Sequence, residues 1–346
     1  MPLEPRVSIK DIARTAGVSF STVSRALHNS PLISEEVRTR IQELARTMGY
    51  TPNALAQSLQ ARLTHSIGLI ITTIADPFFM EVVSGVEQTA RQAGFSVFLA
   101  MSNNDPEQEI QILETFNRRR VDGVILAASR IGADYASRLE RIQIPVIMIN
   151  NQAEGEYKNL YSVSVDDYAG GCMAMEHLIA LGHQKIGYIG VSNRPGSNGR
   201  RMKSYFLALQ KHGIIAQPEW ICLDVSIHNE DMAGDIRVGQ TLTPKLIQAG
   251  VTAIFCYCDT VAAGALLACR KLGVSVPEEL SLIGFDDNIL CEIVSPALTT
   301  IHQPKVEMGQ MAMQMLLNSF RGEDIQDYLL QPALVVREST APPAAL

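Results

Sequence analysis

Residues 8–28 read Ser8-Ile9-Lys10-Asp11-Ile12-Ala13-Arg14-Thr15-Ala16-Gly17-Val18-Ser19-Phe20-Ser21-Thr22-Val23-Ser24-Arg25-Ala26-Leu27-His28. Ser8 with Asp11 three residues on is a helix start, a hydroxyl cap answered by an acid that reaches back to it. Ile9, Ile12, Ala13 and Ala16 then fall on one helical face. Gly17 supplies a stop, because glycine takes the left-handed conformation that closes a helix. Val18-Ser19 makes a tight turn, and Ser19 caps a second helix whose inner face is Val23, Ala26 and Leu27. Phe20, Ser21 and Arg25 project elsewhere, near its start. Ser34 is placed to cap a third helix, with Glu35 and Glu36 in its first turn, where negative charge suits the helix dipole. Val37, Ile41, Leu44, Ala45 and Met48 make its buried stripe, and Gly49 ends it. Two short helices joined by a glycine-containing turn, closed by a third, spell a helix-turn-helix.

Such a motif lays its second helix in a major groove with its first residues against base edges. Arg25 offers a guanidinium fork for guanine, Phe20 an apolar ring for a thymine methyl, and Ser21 a hydroxyl for a base or a phosphate. Charge points the same way. Residues 1–65 hold eight Lys/Arg against five Asp/Glu, a net of +3, while the remaining residues carry −10 of the overall −7. A basic head on an acidic body fits a protein of which only the head meets a polyanion. A small helical bundle without a DNA role is the competing reading of the spacing alone.

The 346 residues, 47% hydrophobic and 19% charged, suffice for two or three folding units and exclude a mainly disordered or fibrous chain. No run of 18 apolar residues exists, so no membrane-spanning helix is expected. Met1–Arg6 has no apolar run of the secretory kind. The expectation is therefore a cytoplasmic protein with its six cysteines as free thiols.

From Ser66 the periodicity changes. Ile67–Ile71, Phe95–Ala100, Val121–Leu126 and Pro145–Ile149 read as buried strands, separated by stretches at helical spacing such as Val82, Val83, Val86 and Ala90. The alternation then repeats, with helices over 166–180, 200–212, from about 234, and 262–272. The strands of this half lie at 185–190, 221–225, 253–258 and 280–285. This predicts an α/β body of two parallel-sheet halves with helices on both faces. Ligands of such sheets bind beyond the carboxyl ends of the strands.

The segment from Ser8 to His28 resembles the headpiece of the lactose/galactose repressor (LacI/GalR) family, and Met48-Gly49-Tyr50-Thr51-Pro52-Asn53 resembles that family's link to its hinge helix. The resemblance runs to about residue 340. It implies a headpiece over 1–51 and a hinge helix and linker over 52–65. It also implies a periplasmic-binding-protein-like core with lobes at 66–161 plus 296–325 and 162–295 plus 326–340. Chain crossings between the lobes are expected near 161–163, 291–296 and 322–328. The family's hinge helix forms on operator DNA, paired with its twin in a homodimer. Leu59 matches the leucine that wedges into the minor groove, a choice over Leu55 that rests on the match of Ala56-Gln57-Ser58-Leu59-Gln60 to the family pattern. Ser8, Phe20, Ser21, Thr22, Arg25, Asn29, Asn53, Ser58 and Leu59 form the expected DNA-contacting set, on double-stranded operator DNA.

The resemblance also implies a small-molecule effector in the cleft. Asp76-Pro77-Phe78-Phe79 follows the first strand directly; Asp76 and Phe79 are expected at the ligand, with Phe78 structural. Arg201 in Arg201-Met-Lys-Ser-Tyr-Phe-Leu-Ala-Leu209 matches the effector-binding arginine, although Ser204 stands where the family pattern has glycine. Asp286 in Gly284-Phe-Asp-Asp287 matches the carboxylate that accepts ligand hydroxyls. Cys258-Asp259 replaces the Asn-Asp of many sugar-responsive relatives, and a thiol is a weak hydrogen-bond partner. A sugar or, given Arg194 beside Arg201, a sugar acid is the expected effector. Cys256 and Cys258 share a strand face but no second ligand pair has metal-site spacing, so neither metal nor cofactor is expected. No Gly-x-Ser-x-Gly elbow, phosphate-cradling loop or His-Glu-x-x-His is present, which speaks against an enzyme. A solute-binding protein without a role in transcription is the rival reading.

Overall fold

The structure is a computed structural model that describes residues 7–50, 63–131, 136–139, 141–152, 160–225 and 232–344. It divides into two units, Met1–Thr64 and His65–Leu346.

In the first unit α1 (Ile9–Ala16), α2 (Phe20–Leu27) and α3 (Glu35–Thr47) enclose Ile12, Ala13, Val23, Ala26, Ile41 and Ala45. Each helix boundary has a visible cause. Ser8 and Asp11 form the reciprocal capping box, Gly17 closes α1 at φ 67°, and the Ser19 hydroxyl accepts from the Thr22 N–H to start α2. Ser34 stands at the N-cap of α3, but its side chain makes no capping bond.

The second unit holds two parallel sheets. The larger runs in the order β11-β5-β4-β3-β1-β2, with β1 Ser66–Ile71, β2 Ser96–Met101, β3 Gly123–Ala127, β4 Val146–Ile149, β5 Tyr161–Val165 and β11 Tyr328–Leu330. The smaller runs β7-β6-β8-β9, with β6 Ile186–Val191, β7 Ile221–Asp224, β8 Ala253–Cys256 and β9 Ser281–Ile283. An antiparallel pair, β10 Thr300–His302 with β12 Ala333–Val335, adjoins the smaller sheet through a bridge from Thr299 to Ile283. Strands β1, β3, β4, β6 and β8 are buried along their whole length, which is why they read as continuous apolar runs.

The crossings between the lobes differ from expectation. Tyr161–Val165 pairs with β4 and stays in the first lobe, so the chain leaves after Val165 rather than at 161–163. Ile301 belongs to the core of the second lobe, while Met308, Ala312 and Met313 of the next helix pack in the first. The second crossing therefore lies between His302 and Lys305, not at 291–296. Tyr328–Leu330 pairs with β5, so the last crossing follows Leu330 instead of lying at 322–328. The first and last misplacements share a cause. β5 and β11 are short and only partly buried, so they lack the apolar density that marks β1, β3 and β4.

Helices Pro77–Gln92 and Lys305–Phe320 pack side by side in the first lobe. Gly85 and Gly309 let their backbones touch: a Cβ on Gly85 would lie 2.1 Å from the Val306 carbonyl oxygen, and one on Gly309 2.2 Å from that of Val82.

Candidate functional site

On the head, α2 presents Phe20, 54% exposed, and Arg25, whose guanidinium makes no hydrogen bond or ion pair among the described residues. Three other arginines of the head are engaged. Arg14 pairs with Asp11 at 2.8 Å, Arg40 donates to the Ala16 carbonyl and Arg38 to that of Ile33. Ser21 and Thr22 sit in the first turn of α2, their hydroxyls 2.8 Å from that of Ser19. The Ser8 hydroxyl is spent on Asp11. Asn29, at φ 54°, accepts from the Gln42 side-chain amide at 2.9 Å, which fixes it against α3. Asn53, Ser58, Leu59 and the expected hinge helix lie outside the described residues.

In the second unit a cavity of about 40 Å³ opens where the two lobes meet. Its walls are the loops that leave the carboxyl ends of the parallel strands. Asp76 and Phe78 come from the β1 loop, Ala128 from β3, and Asn150 and Gln152 from β4. Arg194 and Ser197 follow β6, Tyr257, Cys258 and Thr260 follow β8, and Asp286 follows β9. Arg201, Asp235 and Gln303 complete the lining. Three of these non-glycine residues hold a positive φ: Ala128 at 54°, Asn150 at 47° and Asp286 at 117°. Such conformations cost energy and persist where surrounding structure enforces them, commonly at binding sites.

Polar contacts already span the cleft. Arg194 Nη2 meets Asp76 Oδ2 at 2.9 Å. The Ser197 N–H and hydroxyl both donate to the Gln152 side-chain oxygen at 3.0 Å. Asn150 donates to Gln303, which in turn donates to Asp286 at 2.6 Å. The free space is that of a few waters, so a sugar ring enters only if these walls part.

The expected ligand residues fare unequally. Asp76, Arg201, Cys258 and Asp286 all line the cavity. Phe79 does not: it is 1% exposed, packed in the first-lobe core, and Phe78 stands at the cavity in its place. The reason is helical phase. Phe79 continues the stripe of Val82, Val86 and Ala90 at spacings of three, seven and eleven. Phe79 instead underlies Arg194, whose guanidinium lies 5.7 Å from its ring centroid.

Arg201 is held more tightly than a free ligand clamp would be. Its Nε and Nη2 donate to Asp167 at 2.9 and 2.8 Å, and its Nη1 donates to the Tyr257 carbonyl at 2.6 Å. Its guanidinium stacks 3.5 Å from the centroid of Phe285. Its nearest approach to Asp286 is 3.9 Å. Burial pushes the Asp286 carboxyl well above the usual carboxylate range, against the pull of Arg201. Burial also raises Asp235, to about 6, against the pull of Arg194. Ser204, the substitute for the family's glycine, is fully buried and donates to the Arg201 carbonyl; Gly171 provides the space it needs.

The sequence reading did not single out Ala128, Asn150, Gln152, Ser197, Tyr257, Thr260 or Gln303 as ligand residues. Most stand one to three places beyond a strand's carboxyl end, so the strand-end rule that located the cleft also points to them. Asp235 carries no such mark, since it lies in the helix Met232–Gln248.

A helix-turn-helix and a two-lobed ligand cleft on one polypeptide define a DNA-binding transcriptional regulator. Residues 8–53 match the model for bacterial regulatory proteins of the lacI family, and residues 175–340 match the periplasmic binding protein-like domain. The chain is 34% identical to the ribose operon repressor of Haemophilus influenzae over 336 residues, covering 96% of this chain and 98% of that protein. It is 33% identical to the HTH-type transcriptional repressor CytR of Escherichia coli over 340 residues, covering 97% of each. Among solved structures it resembles the Lac repressor dimer bound to operator and the anti-inducer ONPF, with a TM-score of 0.85, 26% identity and coverage of 97% and 100%. It also resembles a LacI family regulator of Enterococcus faecium with bound ribose, with a TM-score of 0.69, 30% identity and coverage of 80% and 99%. The protein belongs to the LacI family.

Proposed function

We propose that this regulator acts as a homodimeric repressor in the cytoplasm, at the nucleoid. Each headpiece reads one half of a pseudo-palindromic operator through Phe20, Ser21, Thr22 and Arg25, with Ser8 and Asn29 flanking and Asn53, Ser58 and Leu59 acting from the hinge. Two-fold operators match two-fold proteins, and one headpiece reads only a half-site. A sugar or sugar acid enters the cleft, touches Asp76, Arg201, Cys258 and Asp286, and releases the protein from DNA. No catalytic step is proposed.

The observation that carries this reading is the set of contacts across the cleft. A ligand lodged between Asp76 and Arg194, or between Gln152 and Ser197, must replace bonds that join the two lobes. It therefore binds two lobe arrangements with unequal affinity, and that inequality is the energy available to change DNA affinity. Similarity to a ribose operon repressor and to a regulator solved with bound ribose supports a carbohydrate. The test is a thermal-shift screen of sugars, sugar acids and nucleobases, followed by operator binding with each hit. Ligands that stabilise the protein and weaken its operator complex are expected. Sugars that stabilise it while leaving the operator complex intact would contradict release of DNA by the effector.

A further inference from the structure

We infer that Asp235 is a second carboxylate that holds the effector, and that it selects uncharged, hydroxyl-bearing ligands against acidic ones. The inference rests on the cleft being the effector site, and it narrows the sugar or sugar acid of that reading to the neutral class.

Asp235 lies in the first turns of the helix Met232–Gln248 and reaches the cavity beside Cys258 and Thr260. Only its Oδ2 is used: it accepts from the Thr260 hydroxyl at 3.2 Å and from the Cys258 thiol at 3.7 Å. Among the described residues its Oδ1 has no hydrogen-bond partner. A carboxylate has about four acceptor positions, and a thiol is among the weakest donors. This group therefore enters the cavity with acceptor capacity to spare, and a ligand's hydroxyl protons are what such a group takes. The position is also informative. The carboxylate set against the Cys258 thiol supplies the strong acceptor that the thiol lacks.

The charges around the cavity decide against an acidic ligand. The two arginines of the lining are each already matched, Arg194 by Asp76 at 2.9 Å and Arg201 by Asp167 at 2.8 Å. Asp286 is 3.9 Å from Arg201, and the buried Lys305 ammonium spends itself on the carbonyls of Asp286 and Asp287 and on Glu81. Among the described residues Asp235 forms no ion pair, and Arg194, which acts on it from a distance, is bound to Asp76. A ligand carboxylate would face Asp235 and Asp286 with no free arginine to receive it, and like charges at close range in a partly desolvated site repel strongly.

Matched pairs test this directly: D-glucose with D-glucuronate, D-galactose with D-galacturonate, and D-ribose with D-ribonate. Each is titrated calorimetrically against the full chain and against Asp235→Asn. A neutral member should bind the wild type at least about tenfold more tightly than its acid partner, and Asp235→Asn should narrow that preference. Thr260→Val, which removes the hydroxyl that orients Asp235, should weaken the same neutral sugar, so the inference stays testable if Asp235→Asn does not fold. A neutral hit that binds wild type, Asp235→Asn and Thr260→Val alike overturns the role of Asp235 alone. An acid that binds the wild type better than its neutral partner overturns the charge selection. Absence of any binding to wild type removes the effector reading of the cleft, and this inference with it.

Discussion

Arg194 of the second lobe and Asp76 of the first meet across the cleft at 2.9 Å, with side chains 12% and 19% exposed. Asp76 also caps the helix Pro77–Gln92, its Oδ1 accepting from the Phe78 N–H. One carboxylate thus starts a helix of one lobe and ties down a cation of the other. Asp76→Asn should keep the cap, since asparagine caps as well as aspartate. It should lose the ion pair and leave Arg194 uncompensated. The expected loss in stability of the unit His65–Leu346 is ~1–3 kcal/mol, less than for a fully dry pair because both groups touch solvent. Urea unfolding measures it, and an unchanged midpoint would show that the pair holds nothing together.

Arg25 is the exposed, unpaired arginine of the reading helix. Arg25→Ala should cost ~1–3 kcal/mol of operator affinity and relax the preference at a single base pair, because a bidentate contact to one base is lost. Competition binding with singly substituted operators, at one salt concentration, reads both effects. A uniform loss across all operators would assign Arg25 to a phosphate instead.

Glu109 sits in the helix Pro106–Arg118, 4% exposed, and burial pushes its carboxyl up to about 6 even though the Arg130 N–H donates to it. Its folded pKa lies above its unfolded one, so the folded state holds the proton longer. Stability from this group is present below about pH 4.5 and is lost as pH rises towards about 6, after which the loss is constant. Glu109→Gln keeps the shape without the charge. It should raise the melting temperature at pH 8, by an amount corresponding to about 2 kcal/mol, and change little at pH 4.5. Melting curves at the two pH values suffice. Equal effects at both would mean that the charge is not the cause.

The contact between helices Pro77–Gln92 and Lys305–Phe320 leaves no room for a methyl group at Gly85. Gly85→Ala gains helix propensity but drives a Cβ into the Val306 carbonyl. A net destabilisation of ~1–3 kcal/mol is expected, with the helices forced apart. The exposed helical Gly199, where a Cβ meets nothing within 4 Å, serves as the control and should be neutral or stabilising on the same substitution.

Much of this molecule is legible in its sequence because local chemistry and global fold agree. The Ser8–Asp11 box, Gly17 and Ser19 place α1 and α2 without reference to anything distant. The buried strands announce themselves as apolar runs. What escaped was decided by long-range packing. Nothing in Tyr328-Leu329-Leu330 says that it pairs with Tyr161–Val165, more than 160 positions away. Asp235 becomes a cavity residue only because its helix brings it against Cys258 and Thr260. The Phe78 and Phe79 assignment is a different case. The period that buries Phe79 is present in the sequence, since Phe79 precedes Val82, Val86 and Ala90 by three, seven and eleven positions, whereas its expected place at the ligand rests on the family resemblance.

A ligand in the cleft is proposed to change DNA affinity. The direct measurement is fluorescence anisotropy of a labelled pseudo-palindromic operator titrated with the full-length protein at fixed salt, with and without the strongest sugar from the thermal-shift screen. The predicted result is a ~5–150-fold weakening of operator binding when the sugar is saturating. A sugar that occupies the cleft with sub-millimolar affinity yet leaves the two titrations superimposed would contradict it.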